Sequence, residues 1–442
     1  MSSQRASVLA CVLACVAVGV SGTPTVLAAS PPTPAGTAPA QSRPADAAGS
    51  VSATAASAAK PPAITARAAI LVEPDTQDVA YAHDANVRRP IASTTKLMTA
   101  LLALERGRLD SNLTVVSYPV SDVESTAGLQ AGERLSLRDL LRAMLLASAN
   151  EAAQTVAVGI GGSVPAFVTS MNARAAALGL TQTHYATPVG LDVPDNYSTA
   201  GDLARLAAID LGHPFFAATV NQSSAQLTTG ARPRVVVNRN DLVGRFAFVD
   251  GVKTGHTSSA GYVLVAAARR AGVRLISVVL GDPSLATRDA DTLALLRYGL
   301  DRYREQTIVK RGAPLAHASA RYAGGEVTLV AGSAVRRVVV GGERATVAIV
   351  GAPSSLSGPL AAGVRVGTVV VGEHGRRVAE APLVTARALS RPTLRQRLRS
   401  YFSGGLAVAL LGVLVACSLL LVVLQRRAVR RSRAATAAGR RR

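Results

Sequence analysis

Cysteine is nearly missing from this 442-residue chain, and the three present, Cys11, Cys15 and Cys417, all lie inside two apolar runs near its ends. The part between those runs therefore offers no disulfide framework, no metal-thiolate site and no cysteine nucleophile. Lysine is almost as scarce. Of 48 basic residues only Lys60, Lys96, Lys253 and Lys310 are lysine, and the rest are arginine. Arginine stays protonated and cannot act as a base, whereas a lysine amine can be tuned by its surroundings. Large apolar side chains are also nearly absent from residue 29 to 62, where Val51 stands in a stretch made mostly of Ala, Pro, Ser, Thr and Gly. Such a stretch cannot bury enough surface to fold and reads as a disordered linker. No internal repeat is visible.

The formal charge of +21 would suit a nucleic-acid binder, but its placement does not. Arg5 precedes an apolar run from Val8 to Val20, and Val26-Leu27-Ala28 supplies small residues for a cut near Ala28, so residues 1–28 read as a secretory signal. Leu406 to Leu424 is 19 residues without a charge, long enough to cross a bilayer as a helix. Eight arginines and no acid follow it in residues 425–442, which places that tail in the cytoplasm and everything between signal and anchor outside the cell membrane. Five more arginines lie between Arg387 and Arg399, around a juxtamembrane segment (390–405), and suit anionic lipid headgroups. These thirteen charges make up most of the net excess, and no nucleic-acid partner is expected.

Between the ends, Ala69–Glu73 and Val79–Ala82 read as a hairpin around Pro74–Gln77. Ser136 caps a helix from Leu137 to Ala147 with one leucine-rich face, and further helices are predicted from Glu151, over Val168–Gly179 and over Gly201–Leu211. Strands are predicted at Phe246–Val249, Tyr262–Ala268 and Val273–Leu280, with a closing helix over Asp289–Arg304. Strands at both ends with helices between them predict one antiparallel sheet covered by helices, over residues 63–305. From 306 to 389 short runs such as Glu326–Val330, Val335–Val340 and Val366–Val371 alternate with glycine turns and predict a small all-β domain.

The middle of the chain is organised around Pro90-Ile91-Ala92-Ser93-Thr94-Thr95-Lys96, where an apolar helix is predicted to begin. Residues i and i+3 of a helix share a face, so the Lys96 amine can lean over Ser93 Oγ. That pair is a nucleophile beside its base, because a buried lysine of depressed pKa can take a serine proton without any histidine. The helix N-terminus adds N–H groups that favour a developing oxyanion. Such a tetrapeptide also arises by chance, so its meaning depends on its company. Ser148-Ala149-Asn150 interrupts two helices where side chains can project into a cleft; the plainer alternative is that Ser148 ends one helix and caps the next.

In one order the chain carries Ser93-x-x-Lys96, Ser148-x-Asn150 and Lys253-Thr254-Gly255. Here it resembles the penicillin-recognising serine enzymes, and within them the low-molecular-mass D-alanyl-D-alanine carboxypeptidases. Met171-Asn172, Pro188-Val189-Gly190-Leu191, Ser198-Thr199-Ala200, Asn238-Arg239-Asn240 and Asp250–Thr257 look like that family too. The resemblance implies an α/β fold of the β-lactamase/transpeptidase type. By it, Ser93 is acylated by the penultimate D-alanine, Lys96 is its base and Ser148 passes a proton to the leaving amine. Asn150 binds the substrate amide or holds Lys96, while Lys253 and Thr254 bind the terminal carboxylate. Gly255 lets the substrate approach the strand edge, and the backbone N–H groups of Ser93 and His256 form the oxyanion hole. The His256 and His184 side chains are read as structural. Thr187 and Asn196 depart from the family's usual loop residues, and no motif marks a deacylating glutamate. The resemblance also implies peptidoglycan stem peptides ending in D-Ala-D-Ala as substrates, β-lactams as covalent inhibitors, and neither metal nor cofactor. A β-lactamase, a transpeptidase or a non-catalytic envelope protein would be the alternatives on the same chain.

Overall fold

The computed structural model describes residues 60–119, 124–341, 345–373, 375–402 and 405–439, so the predicted signal and nearly all of the linker lie outside the described residues. The first hairpin joins β1 (Ala68–Glu73) to β2 (Asp78–His83). Its turn is fastened by the Glu73 carboxylate, which accepts from Thr76 N and Thr76 Oγ1, both at 2.6 Å.

A 3₁₀ turn (Ala92–Thr95) then runs into α1 (Lys96–Arg106). This helix is buried from Lys96 to Ala103, and so is apolar nearly all round rather than along one stripe. In α2 (Leu137–Leu146) the leucines are buried, and Ser136 Oγ accepts from Asp139 N as a cap. Next come α3 (Asn150–Gly161) and α4 (Val164–Ala177). The last begins four residues before its predicted start, because Ser163 caps it and Pro165 sits in the first turn, where a missing N–H costs nothing. After them come α5 (Ala200–Leu211) and the short α6 (Pro214–Val220).

The chain returns to the sheet with β3 (Val249–Thr257), β4 (Gly261–Arg270) and β5 (Val273–Asp282), followed by α7 (Leu285–Arg302). The strand expected at Phe246–Val249 is a turn up to its last residue, with Phe246 N on Leu242 O and Val249 N on Phe246 O. The Asp250–Thr257 segment, which lies between two of the predicted strands, is itself in strand. The sheet order is β2-β1-β5-β4-β3, antiparallel throughout, joined from both ends of the domain as predicted. Ile276, Val278 and Leu280 of β5 face the core shared with α1 to α5, while Leu275 and Val279 face the core shared with α7. Burial on both faces explains why β4 and β5 read as almost unbroken apolar runs. In this order β3 is an edge strand, with one side open.

Beyond α7 the chain is strand again: β6 (Tyr303–Val309), β7 (Pro314–Ala320), β8 (Glu326–Ala331), β9 (Val335–Val340), β10 (Thr346–Val350), β11 (Arg365–Glu373) and β12 (Arg376–Thr385). Six strands, including the short Ser355–Leu356, make one sheet over a separate core that includes Val327, Leu329, Val369 and Leu383, while β6 pairs with β9. After α8 (Leu394–Phe402), the long helix α9 (Gly405–Gly439) contains Val408–Arg430, a segment long and apolar enough to cross a membrane.

Candidate active site

The site is built around the 3₁₀ turn. Ala92 stands in the left-handed region (φ +46°), an uncommon conformation for a residue with a Cβ. Thr94 Oγ1 donates to Ile91 O at 2.6 Å and secures the turn. The α-helix proper therefore starts at Lys96, and Ser93 lies just before it rather than inside it. In a 3₁₀ turn residues i and i+3 eclipse each other, which brings Lys96 directly over Ser93. The two side chains are 2.9 Å apart, Nζ to Oγ. Lys96 is fully buried, and that burial pulls its amine down to about 7 against the opposing pull of Glu124 and Glu151.

The same amine donates to Val189 O at 2.7 Å, so the loop after α4 is part of the site. Thr99 Oγ1 donates to the neighbouring Pro188 O, also at 2.7 Å. Thr187 and Asn196, the two departures from the family's usual residues, shape this loop. Thr187 Oγ1 accepts from Val189 N and Gly190 N, both at 3.0 Å, and Asn196 Nδ2 reaches Thr95 Oγ1 at 3.2 Å. Gly190 has φ +90°, and a Cβ there would lie 2.0 Å from Ala92 O, so the loop can pass this close only as glycine.

Asn150 Oδ1 accepts from Lys96 Nζ at 2.7 Å. Its Nδ2 donates to Glu124 Oε2 at 2.6 Å, and Tyr118 Oη donates to the same oxygen at 2.6 Å. Burial, and then the Glu124 carboxylate, pushes the Tyr118 hydroxyl far up. The capping role weighed for Ser148 is not what the structure has: Ala149 occupies the N-cap of α3 and no side chain caps it. Ser148 has φ +61°, and its buried Oγ has no hydrogen-bond partner among the described residues. Glu151 is engaged elsewhere, its Oε1 accepting from Thr126 Oγ1 and Ala127 N.

The open strand β3 supplies the fourth wall. A Cβ on Gly255 would meet Val263 Cγ2 at 2.7 Å, Ala92 Cβ at 2.9 Å and Ser93 N at 2.9 Å. The close approach that glycine permits includes one of the chain to itself, β3 against the turn that carries Ser93. Lys253 is buried, with one hydrogen bond to Thr254 O at 2.9 Å. Burial, reinforced by the charges of Lys96, Arg239 and Arg288, holds its amine well below the usual lysine range. Thr254 is buried next to it, while His256 is exposed with its ring 4.1 Å from that of Tyr262 across the strand pair. The His184 ring lies 6.0 Å from that of Tyr197 and its Nδ1 is 2.6 Å from Asp195 O.

Ser93, Lys96 and Asn150 thus form one hydrogen-bonded set, Gly255 abuts it, and Lys253 feels its charge. Ser148 makes no hydrogen bond to the set. Sequence reasoning missed Glu124, Tyr118 and the Val189 carbonyl. The first two lie in an irregular segment with no periodic pattern, and a backbone carbonyl leaves no trace in residue type.

A helix-covered antiparallel sheet with a lysine-linked serine at its edge strand defines a serine-type hydrolase of the β-lactamase/transpeptidase-like fold. The family model described as D-alanyl-D-alanine carboxypeptidase matches residues 54–284, and the chain belongs to that family of serine-type carboxypeptidases. D-alanyl-D-alanine carboxypeptidase DacD of Salmonella typhimurium is 33% identical over 363 residues, covering 78% of this chain and 92% of that one. Among solved structures, penicillin binding protein 5 from Haemophilus influenzae has a TM-score of 0.56 at 30% identity, covering 75% of this chain and 100% of its own. The Streptomyces K15 DD-transpeptidase has a TM-score of 0.52 at 31% identity, covering 55% of this chain and 99% of its own.

Proposed function

We propose that this chain is an exported, membrane-anchored DD-carboxypeptidase that removes the terminal D-alanine from peptidoglycan pentapeptide stems through an acyl-enzyme on Ser93. The observation that carries the reading is the set of partners around one amine. Lys96 Nζ has three acceptors in reach: Ser93 Oγ, Asn150 Oδ1 and Val189 O. An ammonium can donate to all three, but a neutral amine has two hydrogens and one lone pair. Of the three partners only the Ser93 hydroxyl can reverse and donate. Loss of the Lys96 proton, which burial allows near pH 7, therefore aims the serine proton at the amine.

The chemistry then runs as follows. Ser93 Oγ attacks the penultimate D-alanine carbonyl as Lys96 takes its proton, and the backbone N–H groups of Ser93 and His256 hold the oxyanion. Such donors are worth about 10²–10³ in rate. The peptide C–N bond breaks as the proton passes through the Ser148 hydroxyl to the leaving D-alanine amine. Water then attacks the ester carbonyl and gives a proton to Lys96, which passes it to Ser93 Oγ as the ester C–O bond breaks, releasing the shortened stem and free Ser93. The buried Lys253 amine and Thr254 receive the terminal carboxylate, which brings the counter-charge that site lacks. Residues 63–305 make up the catalytic domain, 306–389 a small β domain of unassigned role, and 406–424 a single span that leaves residues 425–442 in the cytoplasm. Anionic lipids bind the flanking arginines, and β-lactams acylate Ser93 as they would any such serine.

The test uses the full-length chain in detergent. Fluorescent penicillin is expected to label it covalently, with the label mapping to Ser93, and D-alanine is expected to leave a pentapeptide. Folded protein that does neither overturns the proposal. A transpeptidase reading is favoured by the likeness to the K15 enzyme. It predicts a cross-linked product in place of free tetrapeptide when an amine acceptor is added.

A further inference from the structure

We propose that the cleft beside Asp192 is a subsite for an ammonium-bearing side chain on the residue preceding the two D-alanines, and that the Asp192 carboxylate selects for it. This rests on the carboxypeptidase reading above. The cleft has a volume of about 240 Å³ and opens next to the nucleophile turn, with Ala92 in one wall, Asp192 and Val193 in the other, and Asn196 and Ser259 beside them. That is below the roughly 300–1,000 Å³ of sites that enclose a whole small molecule, and suits a single side chain.

The carboxylate is held in place. Thr257 Oγ1 donates to Asp192 Oδ1 at 2.6 Å and Ser259 N donates to Oδ2 at 3.0 Å, with the Ser259 hydroxyl a third donor, so the carboxylate keeps acceptor capacity for one more partner. Asp192 is exposed and forms no ion pair with lysine or arginine among the described residues. It is a fixed negative charge with His256 nearby but no lysine or arginine paired to it among the described residues, in the wall of a cleft that begins one residue from Ser93.

The substrate's course leads there. β3 has an open edge, and a peptide that adds to it antiparallel, with its carboxylate at Lys253 and Thr254, runs back past His256 toward Thr257. At about 3.3 Å per residue, the position two before the terminal D-alanine comes level with His256 and Thr257. Thr257 is the residue that grips Asp192. A side chain leaving the peptide at that level on the cleft side meets the carboxylate if it is long and ends in an amine. Stems with lysine or with diaminopimelate at that position share this chemistry.

The test compares D-alanine release by the full-length chain from pentapeptides that carry L-lysine, meso-diaminopimelate or Nε-acetyl-L-lysine there. Wild type is expected to favour the amines over the acetylated stem in kcat/KM by about three- to tenfold, through KM rather than kcat. In D192N that ratio should fall toward one, and in D192E it should persist. A preference confined to one of the two amines would show which stem the cleft fits. A wild-type ratio of one, or a D192N ratio equal to that of wild type with all stems slowed alike, overturns the proposal and leaves Asp192 a loop fastener. If no stem loses D-alanine in wild type, the carboxypeptidase reading falls first and this inference with it.

Discussion

Glu124 and Lys96 are joined through a single amide: Asn150 accepts from the lysine at 2.7 Å with one end and donates to the carboxylate at 2.6 Å with the other. Asn150 therefore does more than line the cleft. It keeps a carboxylate one residue away from the Lys96 amine, and Glu124 is one of the groups that hold that amine up against burial.

The acid limb of activity should report Lys96. With its amine brought to about 7, kcat/KM for D-alanine release should rise with pH to a plateau, with a midpoint near pH 7. The same shift affects folding. Between about pH 7 and the ordinary lysine value of 10.5 the unfolded chain binds a proton that the folded chain does not, so this residue's contribution to stability grows as pH rises through that window. Initial rates and denaturant midpoints across pH 6–10 would check both.

Removal of the Glu124 charge should move that limb. Glu124→Gln keeps an acceptor for Asn150 and Tyr118 but deletes the charge that raises the Lys96 pKa, so the midpoint should shift to lower pH. A rate profile that keeps its midpoint would mean that the carboxylate is not felt by the base.

Ser148→Ala should separate stability from reaction. The hydroxyl is buried and has no partner among the described residues, so its loss should change unfolding free energy by less than about 1 kcal/mol. Acylation by penicillin should slow by about 10² or more if this hydroxyl carries the leaving-group proton. Thermal unfolding and stopped-flow labelling measure the two sides.

Gly190→Ala should fail on both counts. The new Cβ would sit 2.0 Å from Ala92 O and 2.8 Å from Thr95 Oγ1, at a φ of +90°. A cost of about 2–4 kcal/mol is expected. The Val189 carbonyl would also be pushed off Lys96, so D-alanine release should fall at least tenfold at temperatures where the variant is still folded.

What the chain's pattern discloses is what repeats or clusters locally. The Ser93 and Lys96 pair is legible because three residues separate them, and the main sheet because apolar strands stand at both ends of the domain. The leucines and Ser136 mark α2 for the same reason. Glu124 and Tyr118 are not legible, since only the tertiary fold carries an irregular loop to Asn150. Asp250-Gly251 carries no strand pattern of its own because those residue types favour turns, and the pairing of β3 with β4 overrides that local preference. Pro314–Ala320 and Arg376–Thr385 are harder to read as individual strands, because polar and small residues interrupt their alternation.

Gly255 has neighbours on three sides at distances no side-chain carbon tolerates, two of them atoms of the turn that carries Ser93. Any other amino acid there would wedge the strand away from the serine. If β-lactams do capture that serine, a cell under antibiotic pressure could not blunt the capture by changing this position and still keep the enzyme. Escape by mutation would have to start from residues that have room to grow.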